Sequence, residues 1–117
     1  MIQAPPGTRV YLACHPVDMR RGFDGLSAEV AEVLKQDPYS GHLFIFRGKR
    51  GDYLKILYWD TSGLCLFAKR LEKGKFAWPS QVDATLRLTP AQLALLVEGI
   101  DWRRTVAPEE IAPPKLL

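Results

Sequence analysis

Short runs of alternating apolar and polar residues fill the middle of the chain and predict an antiparallel β-meander. The predicted strands span residues 43–47, 53–60, 64–71 and 75–78. Turns rich in glycine and polar residues separate them, at residues 48–52, 61–63 and 73–74. Two more short strands are expected outside this block, at residues 9–13 and 84–88.

A spacing of three or four residues between apolar positions predicts a helix between residues 18 and 36. Its apolar stripe consists of Phe23, Leu26, Val30, Val33 and Leu34. Gly22 and Gly25 disfavour its first turns by about 1 kcal/mol each relative to alanine. They either permit close backbone packing or delay the regular helix to Asp24 or Ser27.

A second helix is predicted from its own start signal. Thr89 can cap the helix, Pro90 suits its first position, and Gln92 completes a capping box. The segment that follows is rich in leucine and should end near Gly99.

These elements predict one α+β domain, in which an antiparallel β-meander sheet packs with one N-terminal-third helix and one C-terminal-third helix. A chain of 117 residues fits a single domain. We expect residues 1–8 to form a flexible entry, residues 9–104 the domain, and residues 105–117 a mobile, proline-containing tail.

The composition is ordinary for a globular protein, with 47% apolar and 25% charged residues. No apolar run approaches the roughly 20 residues that cross a bilayer, and the first residues lack the apolar region of a secretory signal. A cytoplasmic protein is therefore expected.

Cys14 and Cys65 are expected as reduced thiols, and their spacing from His15 and His42 does not suit zinc. We predict no metal and no cofactor.

Positive charge is concentrated in the strand block. Residues 47–75 carry eight cations and three acids, a net charge of +5 in a chain whose total is +3. Such a concentration favours a polyanionic partner, with a solvated rim as the alternative. The candidate phosphate contacts are Arg47, Lys49, Arg50, Lys55, Lys69, Arg70, Lys73 and Lys75. The loop of Lys49 and Arg50 is the best placed for binding, although cations at hairpin tips also serve solubility.

Arg20 and Arg21 are the next candidates, because cations in the first turn of a helix oppose its dipole. A bound phosphate would remove the conflict. Pairing with Asp18 or Asp24 at the surface would also remove it.

The assumed turns place Lys55 opposite Lys69 on one sheet face, together with Tyr53, Leu57, Trp59, Phe67 and Trp78. Aromatic rings beside lysines suit single-stranded nucleic acid, on which bases stack. We expect most of these rings to be core instead. Tyr53 and Trp59 remain candidates for stacking.

The sequence gives little sign of catalysis. Its aspartates are scattered, and it contains no phosphate-binding glycine loop, nucleophile elbow or HExxH motif. A metal-dependent nuclease would need converging carboxylates, which the sequence does not indicate. We therefore expect no catalytic residues and a protein that is not an enzyme.

Several motifs in order resemble a known family. They are VYLACHPVDMRRGFDGL at residues 10–26, GHLFIFRG at 41–48, KILYWD at 55–60, and FAWP at 76–79. This arrangement, over about residues 10–102, resembles the small TnpB accessory proteins, which the second reading frame of bacterial insertion sequences of the IS-sixty-six family encodes.

The resemblance implies a non-catalytic accessory role in transposition, beside a separate, larger transposase that cuts DNA. Element DNA and that transposase are the expected partners. The alternative is a protein–protein adaptor that docks on the transposase without touching DNA. If the edge formed by residues 53–71 is uncovered, copies of the chain can pair through it, and a homo-oligomer is then possible.

Overall fold

The structure is a computed structural model that describes residues 5–105 and 109–111. This part of the chain contains six strands and two helices. In chain order they are β1 (Val10–Ala13), α1 (Phe23–Glu32), β2 (Leu43–Arg47), β3 (Tyr53–Trp59), β4 (Leu64–Arg70), β5 (Thr85–Leu88), α2 (Pro90–Val97) and β6 (Glu109–Glu110). Neither helix in these ranges has the length and apolarity to span a membrane.

The strands form one sheet in the order β4-β3-β2-β1-β5-β6. The predicted α+β class is confirmed, but the purely antiparallel sheet is wrong, because β1 and β2 run parallel. The cause is α1, which lies between these strands in sequence. The chain crosses one face of the sheet as a helix before it returns in the same direction.

The predicted strand at residues 75–78 is also wrong. This segment crosses a sheet face as irregular backbone, with Phe76 and Trp78 buried in the core. Its groups bond to the β2–β3 loop rather than to β4: Phe76 N–H and Trp78 Nε1–H both donate to Gly51 O. The short strand predicted at residues 84–88 is confirmed as β5, which pairs with β1.

The pairing of β3 with β2 and its pairing with β4 are each shifted by one residue from the predicted register. Leu54 lies opposite Lys69, and Lys55 lies opposite Ala68, so the two lysines occupy opposite faces. The β3–β4 turn is one residue tighter than assumed, because Asp60 N–H bonds to Gly63 O. The β2–β3 loop is likewise one residue shorter than assumed, because Gly48 N–H donates a hydrogen bond to Tyr53 O and so extends the ladder of β2 and β3. A shift of one residue exchanges the faces of a strand.

Both faces of the sheet are covered. One helix, α1, lies over a cluster that includes Tyr11, Phe44, Phe46, Leu26 and Val30. On the other face α2, the 76–78 segment and Trp102 cover a larger cluster that includes Leu12, Ile45, Ile56, Leu86 and Leu96. This double cover explains why strand residues on both faces are apolar.

The helices keep most of their predicted features. The capping box of Thr89 and Gln92 is confirmed, and α2 ends two residues before Gly99. The helix α1 begins at Phe23, earlier than the delayed starts considered for it. Two positions of its apolar stripe are wrong, because Phe23 and Val33 are about half exposed, whereas Leu34 at the end of the stripe is buried as predicted.

The predicted entry and tail fall partly outside the described residues, at 1–4, 106–108 and 112–117. Within the described part, Glu109 pairs with Arg87 of β5, and Ile111 N–H donates to Thr85 O at 2.8 Å.

Candidate nucleic-acid interface

Two cation-bearing loops are joined through one backbone carbonyl. Gly51 O accepts hydrogen bonds from Phe76 N–H at 3.0 Å and from Trp78 Nε1–H at 2.9 Å. Gly51 has φ +83°, and a Cβ there would lie 3.3 Å from both Lys75 Cδ and Trp78 Nε1. Glycine at this position therefore lets the 73–78 loop pack directly against the 48–52 loop.

A third segment packs against the same loop from the α1 side. Val17 N–H donates to Arg47 O at 3.0 Å, which places residues 17–19 beside the end of β2. Met19 then covers Gly48, where a Cβ would approach Met19 Cγ to 2.7 Å. The motif that precedes α1 is thereby held next to the β2–β3 loop.

The three segments enclose two adjoining concavities of about 280 and 460 Å³, which share Arg50 and Asp52. Five exposed cations surround them or lie in the same loops: Lys49, Arg50, Arg70, Lys73 and Lys75, here called the basic rim. Arg50 contacts Asp52 at 3.5 Å. The other four form no ion pair with any residue in the described ranges. The rim thus holds charge that is free to meet an anion.

Two of the predicted phosphate contacts point inward instead. Lys55 is buried, and its Nζ donates to Arg21 O at 2.8 Å. Lys69 is half-buried, and its Nζ donates to Val97 O at 2.7 Å, at the last residue of α2. A cation suits the carbonyl end of a helix. Lys55 thus anchors the segment that precedes α1 to the sheet, and Lys69 anchors the end of α2. The prediction that these two lysines contact phosphate therefore has no geometric support.

Arg47 is also engaged with the protein. Its guanidinium lies 5.0 Å from the centre of the Trp78 ring, and its Nε–H donates to Gly48 O at 3.3 Å. Burial lowers the pKa of Arg47 and raises that of the nearby Cys14 thiol to about 11. Arg47 is therefore a packing residue beneath the rim.

Arg20 and Arg21 have carboxylate partners. Arg20 forms a close, two-pronged pair with Asp18, with its Nη2 2.6 Å from Oδ2. Hydrogen bonds from the side chain and backbone of Arg20 lower the pKa of Asp18 to about 2. Arg21 pairs at 3.2 Å with Glu29, a buried acid on α1. The structure therefore matches the surface-pairing alternative for Arg20.

The two stacking candidates lie at opposite ends of β3. Tyr53 is half-buried and lines the smaller concavity beside Lys49 and Arg70. Trp59 packs edge-on against Tyr39, with ring centres 5.5 Å apart, about 20 Å along the strand from Tyr53. Only Tyr53 belongs to the neighbourhood of the rim.

The sequence identified Gly48 and Gly51 as the flanks of an exposed cationic loop, but it did not show that Met19 packs on Gly48 or that Trp78 packs on Gly51. The pattern available in the sequence was a pair of glycines around two cations. It indicated the loop but not the residues that pack on the loop.

Comparison with known proteins decides the family. A profile described as "IS66 Orf2 like protein" matches residues 8–107. The chain belongs to this family.

Two relatives from Sinorhizobium fredii (strain NBRC 101917 / NGR234) are similar over most of their length. "Uncharacterized protein y4hO" is 47% identical over 103 residues, which cover 88% of this chain and 90% of the relative. "Uncharacterized protein y4jC" is 48% identical over 104 residues, which cover 89% of each. No solved structure matches the chain.

The resemblance seen in the sequence motifs is thus confirmed, since IS66 is the insertion-sequence family that it indicated. Membership of the IS66 Orf2-like family associates the chain with transposition, as an accessory protein.

Carboxylates matter in such a protein because metal-dependent DNA cleavage uses them. Asp60 accepts hydrogen bonds from the backbone N–H groups of Ser62 and Gly63 and from Cys65 Sγ, and these bonds lower its pKa. It is therefore the organising residue of the β3–β4 turn. Across residues 5–105 and 109–111, no three His, Cys, Asp or Glu side chains are grouped so as to hold a metal ion.

Proposed function

We propose that this IS66 Orf2-like protein is a non-catalytic, cytoplasmic accessory factor that binds element DNA through the phosphates facing its basic rim. The observation that carries the proposal is a group of five exposed cations from the β2–β3 loop, the end of β4 and residues 73–75, four of them without an ion pair in the described residues. Because these four side chains are exposed and form no ion pair there, they can meet a phosphate without first breaking an internal contact.

The geometry favours phosphate contacts over base stacking. Single-stranded nucleic acid is held mainly by exposed rings, and the rings of Trp78 and Phe76 are buried. Tyr53 is the one aromatic residue among those lining the two concavities, and it is half-buried. Sequence-independent electrostatic binding fits this surface best.

The proposal is tested by the anisotropy of labelled duplex DNA from the element ends, titrated with protein across a salt series. Three to five phosphate contacts predict a slope of log K against log salt of roughly −3 to −5. A single strand of the same sequence shows whether stacking adds affinity. Absent or salt-independent binding to both probes would reject the DNA proposal.

The non-catalytic part of the proposal has its own test. The protein, incubated with labelled element DNA and Mg²⁺ or Mn²⁺, is expected to leave the DNA intact. Cleavage that requires the metal and disappears in both Asp18→Ala and Asp60→Ala would instead identify a small nuclease.

A second candidate function, docking on the transposase of the same element, is favoured by the aromatic pair of Tyr39 and Trp59. Tyr39 is 56% exposed, and Trp59 lines a largely apolar groove of about 330 Å³ at the far end of β3 from the rim. Trp59→Ala should reduce capture of the protein by immobilised transposase and leave the DNA salt slope unchanged. Unchanged capture by both Trp59→Ala and Tyr39→Ala would reject this candidate.

A further inference from the structure

The strand β4 forms one edge of the sheet, and it is long and apolar. It spans seven residues, and in the described ranges no strand pairs with its outer side. The opposite edge strand, β6, has only two residues, and both are glutamates. Proteins keep edges from pairing by shortening or charging them. The β6 edge is protected in this way, whereas Leu64, Cys65, Leu66 and Phe67 give β4 no such protection.

The hydrogen bonds at its two ends define which backbone groups of β4 face outward. Asp60 N–H donates to Gly63 O at 3.0 Å, and Leu71 N–H donates to Asp52 O at 2.8 Å. In an antiparallel pair the bonded positions alternate, so Cys65, Phe67 and Lys69 direct their backbone groups toward β3. The outward N–H and C=O groups belong to Leu64, Leu66, Ala68 and Arg70.

These four residues are spaced so that the outward hydrogen-bonding groups of one β4 strand match those of a second, antiparallel copy. If two copies lie antiparallel about a twofold axis at Phe67, Leu64 pairs with the partner's Arg70, and Leu66 pairs with the partner's Ala68. Every outward N–H and C=O group of both strands is then bonded. Phe67 faces the partner's Phe67 at a close, non-hydrogen-bonded position, where aromatic pairs are favourable.

Charge supports the same arrangement. The cations of β4, Lys69 and Arg70, lie at one end of the strand, while the Asp60 carboxylate touches Cys65 Sγ near the other end, at 3.4 Å. Antiparallel pairing brings the cations of each copy toward the Asp60 of its partner. A parallel arrangement would place like charges side by side.

We propose that two copies of this chain dimerise by antiparallel pairing of their β4 strands, which joins their sheets into one continuous sheet. The contact is isologous, because the same strand serves both copies. The two proposals share Arg70, whose backbone groups pair with the partner strand and whose guanidinium belongs to the basic rim. Both tests of the dimer use no DNA, so their outcome does not depend on DNA binding.

Disulfide trapping tests the register. In a Cys65→Ser background, Phe67→Cys places two thiols at the axis, where paired Cβ atoms are close enough to bridge. The matched control is Ala68→Cys. Its thiol is more exposed, but it would lie diagonal to its copy, about 7–8 Å away. Mild oxidation should convert Phe67→Cys to a covalent dimer on non-reducing gels and leave Ala68→Cys mostly monomeric. Preferential cross-linking of Ala68→Cys, or of neither variant, would overturn the proposal.

A proline provides a second test that does not depend on cysteine. The Ala68 N–H faces outward, so Ala68→Pro removes a bond to the partner and keeps the ladder with β3. Sedimentation should give wild-type protein a mass rising with concentration toward twice 13.2 kDa, and Ala68→Pro the monomer mass with an unchanged circular dichroism spectrum. Wild-type protein that stays monomeric at high concentration, or an Ala68→Pro dimer of wild-type affinity, would refute β4 pairing.

Discussion

The indole N–H of Trp78 donates a 2.9 Å hydrogen bond to the backbone carbonyl of Gly51. Trp78 belongs to the core beside α2, and Gly51 belongs to the loop that carries Lys49 and Arg50. Since Phe76 N–H bonds to the same oxygen, the core fixes both cation-bearing loops relative to each other. Folding of the α2 face and assembly of the basic rim are therefore coupled.

Trp78→Phe should weaken this coupling. The smaller ring keeps an aromatic surface under Arg47, but it lacks the donor to Gly51 and leaves space in the core. We expect a loss of about 2 kcal/mol in the free energy of unfolding, measured with urea. The Phe76 amide should also exchange hydrogen faster. Unchanged exchange at Phe76 would show that the indole bond does not hold the loop.

Gly48→Ala should reveal the packing of Met19 on the β2–β3 loop. The new Cβ would approach Met19 Cγ to 2.7 Å, so one of the two segments has to shift. We expect a destabilisation of about 1–3 kcal/mol. The double variant Gly48→Ala/Met19→Ala should be more stable than the sum of the two single effects, because it removes the clash. Additive effects would contradict the contact.

Lys69 and Arg70 are neighbours in sequence but should behave oppositely on substitution. Lys69→Met removes the bond to Val97 O at the end of α2 and should reduce stability by about 1–2 kcal/mol, with little change in the DNA salt slope. Arg70→Gln should leave stability unchanged within about 0.5 kcal/mol and reduce the slope by about 1. Urea unfolding and DNA titration of both variants provide the comparison. A reversed result would mean that the two side chains have been assigned to the wrong surfaces.

The ion pair of Asp18 and Arg20 predicts a stability change at low pH. The pKa of Asp18 is lowered to about 2 from an ordinary 3.8 by hydrogen bonds from Arg20. A lowered folded-state pKa adds stability above pH 3.8, and this contribution is lost as the pH falls toward 2. The stability difference between wild type and Asp18→Asn should therefore shrink across this interval. Carboxyl NMR titration of Arg20→Gln, as a control, should return the Asp18 midpoint toward 3.8. A midpoint near 3.8 in the wild type would contradict the pairing.

Local signals were predictable from sequence, and long-range geometry was not. Thr89, Pro90 and Gln92 define the start of α2 within four residues, so the capping box could be recognised directly. The parallel pairing of β1 with β2 depends on how the chain passes through α1 across a sheet face, which no local pattern records.

In the candidate site, too, the local features were predictable from the sequence and the long-range contacts were not. The sequence located the cation-rich loops, but the outward or inward direction of Lys55 and Lys69 depends on register. One residue of difference in each turn next to β3 was enough to exchange the faces. The packing of Trp78 on Gly51, which brings the loops together, joins positions 27 residues apart.

The basic rim as the DNA-binding surface is best tested by neutralising it as a whole. The variant Lys49→Gln/Arg50→Gln/Arg70→Gln/Lys73→Gln/Lys75→Gln should fold like wild type, because all five side chains are exposed. Lys35→Gln, at an exposed cation outside the rim, is the matched control. In a salt series with element-end duplex DNA, the rim variant should lose most of the salt slope and at least tenfold in affinity, while Lys35→Gln should match wild type. A wild-type slope in the rim variant would contradict the proposed function.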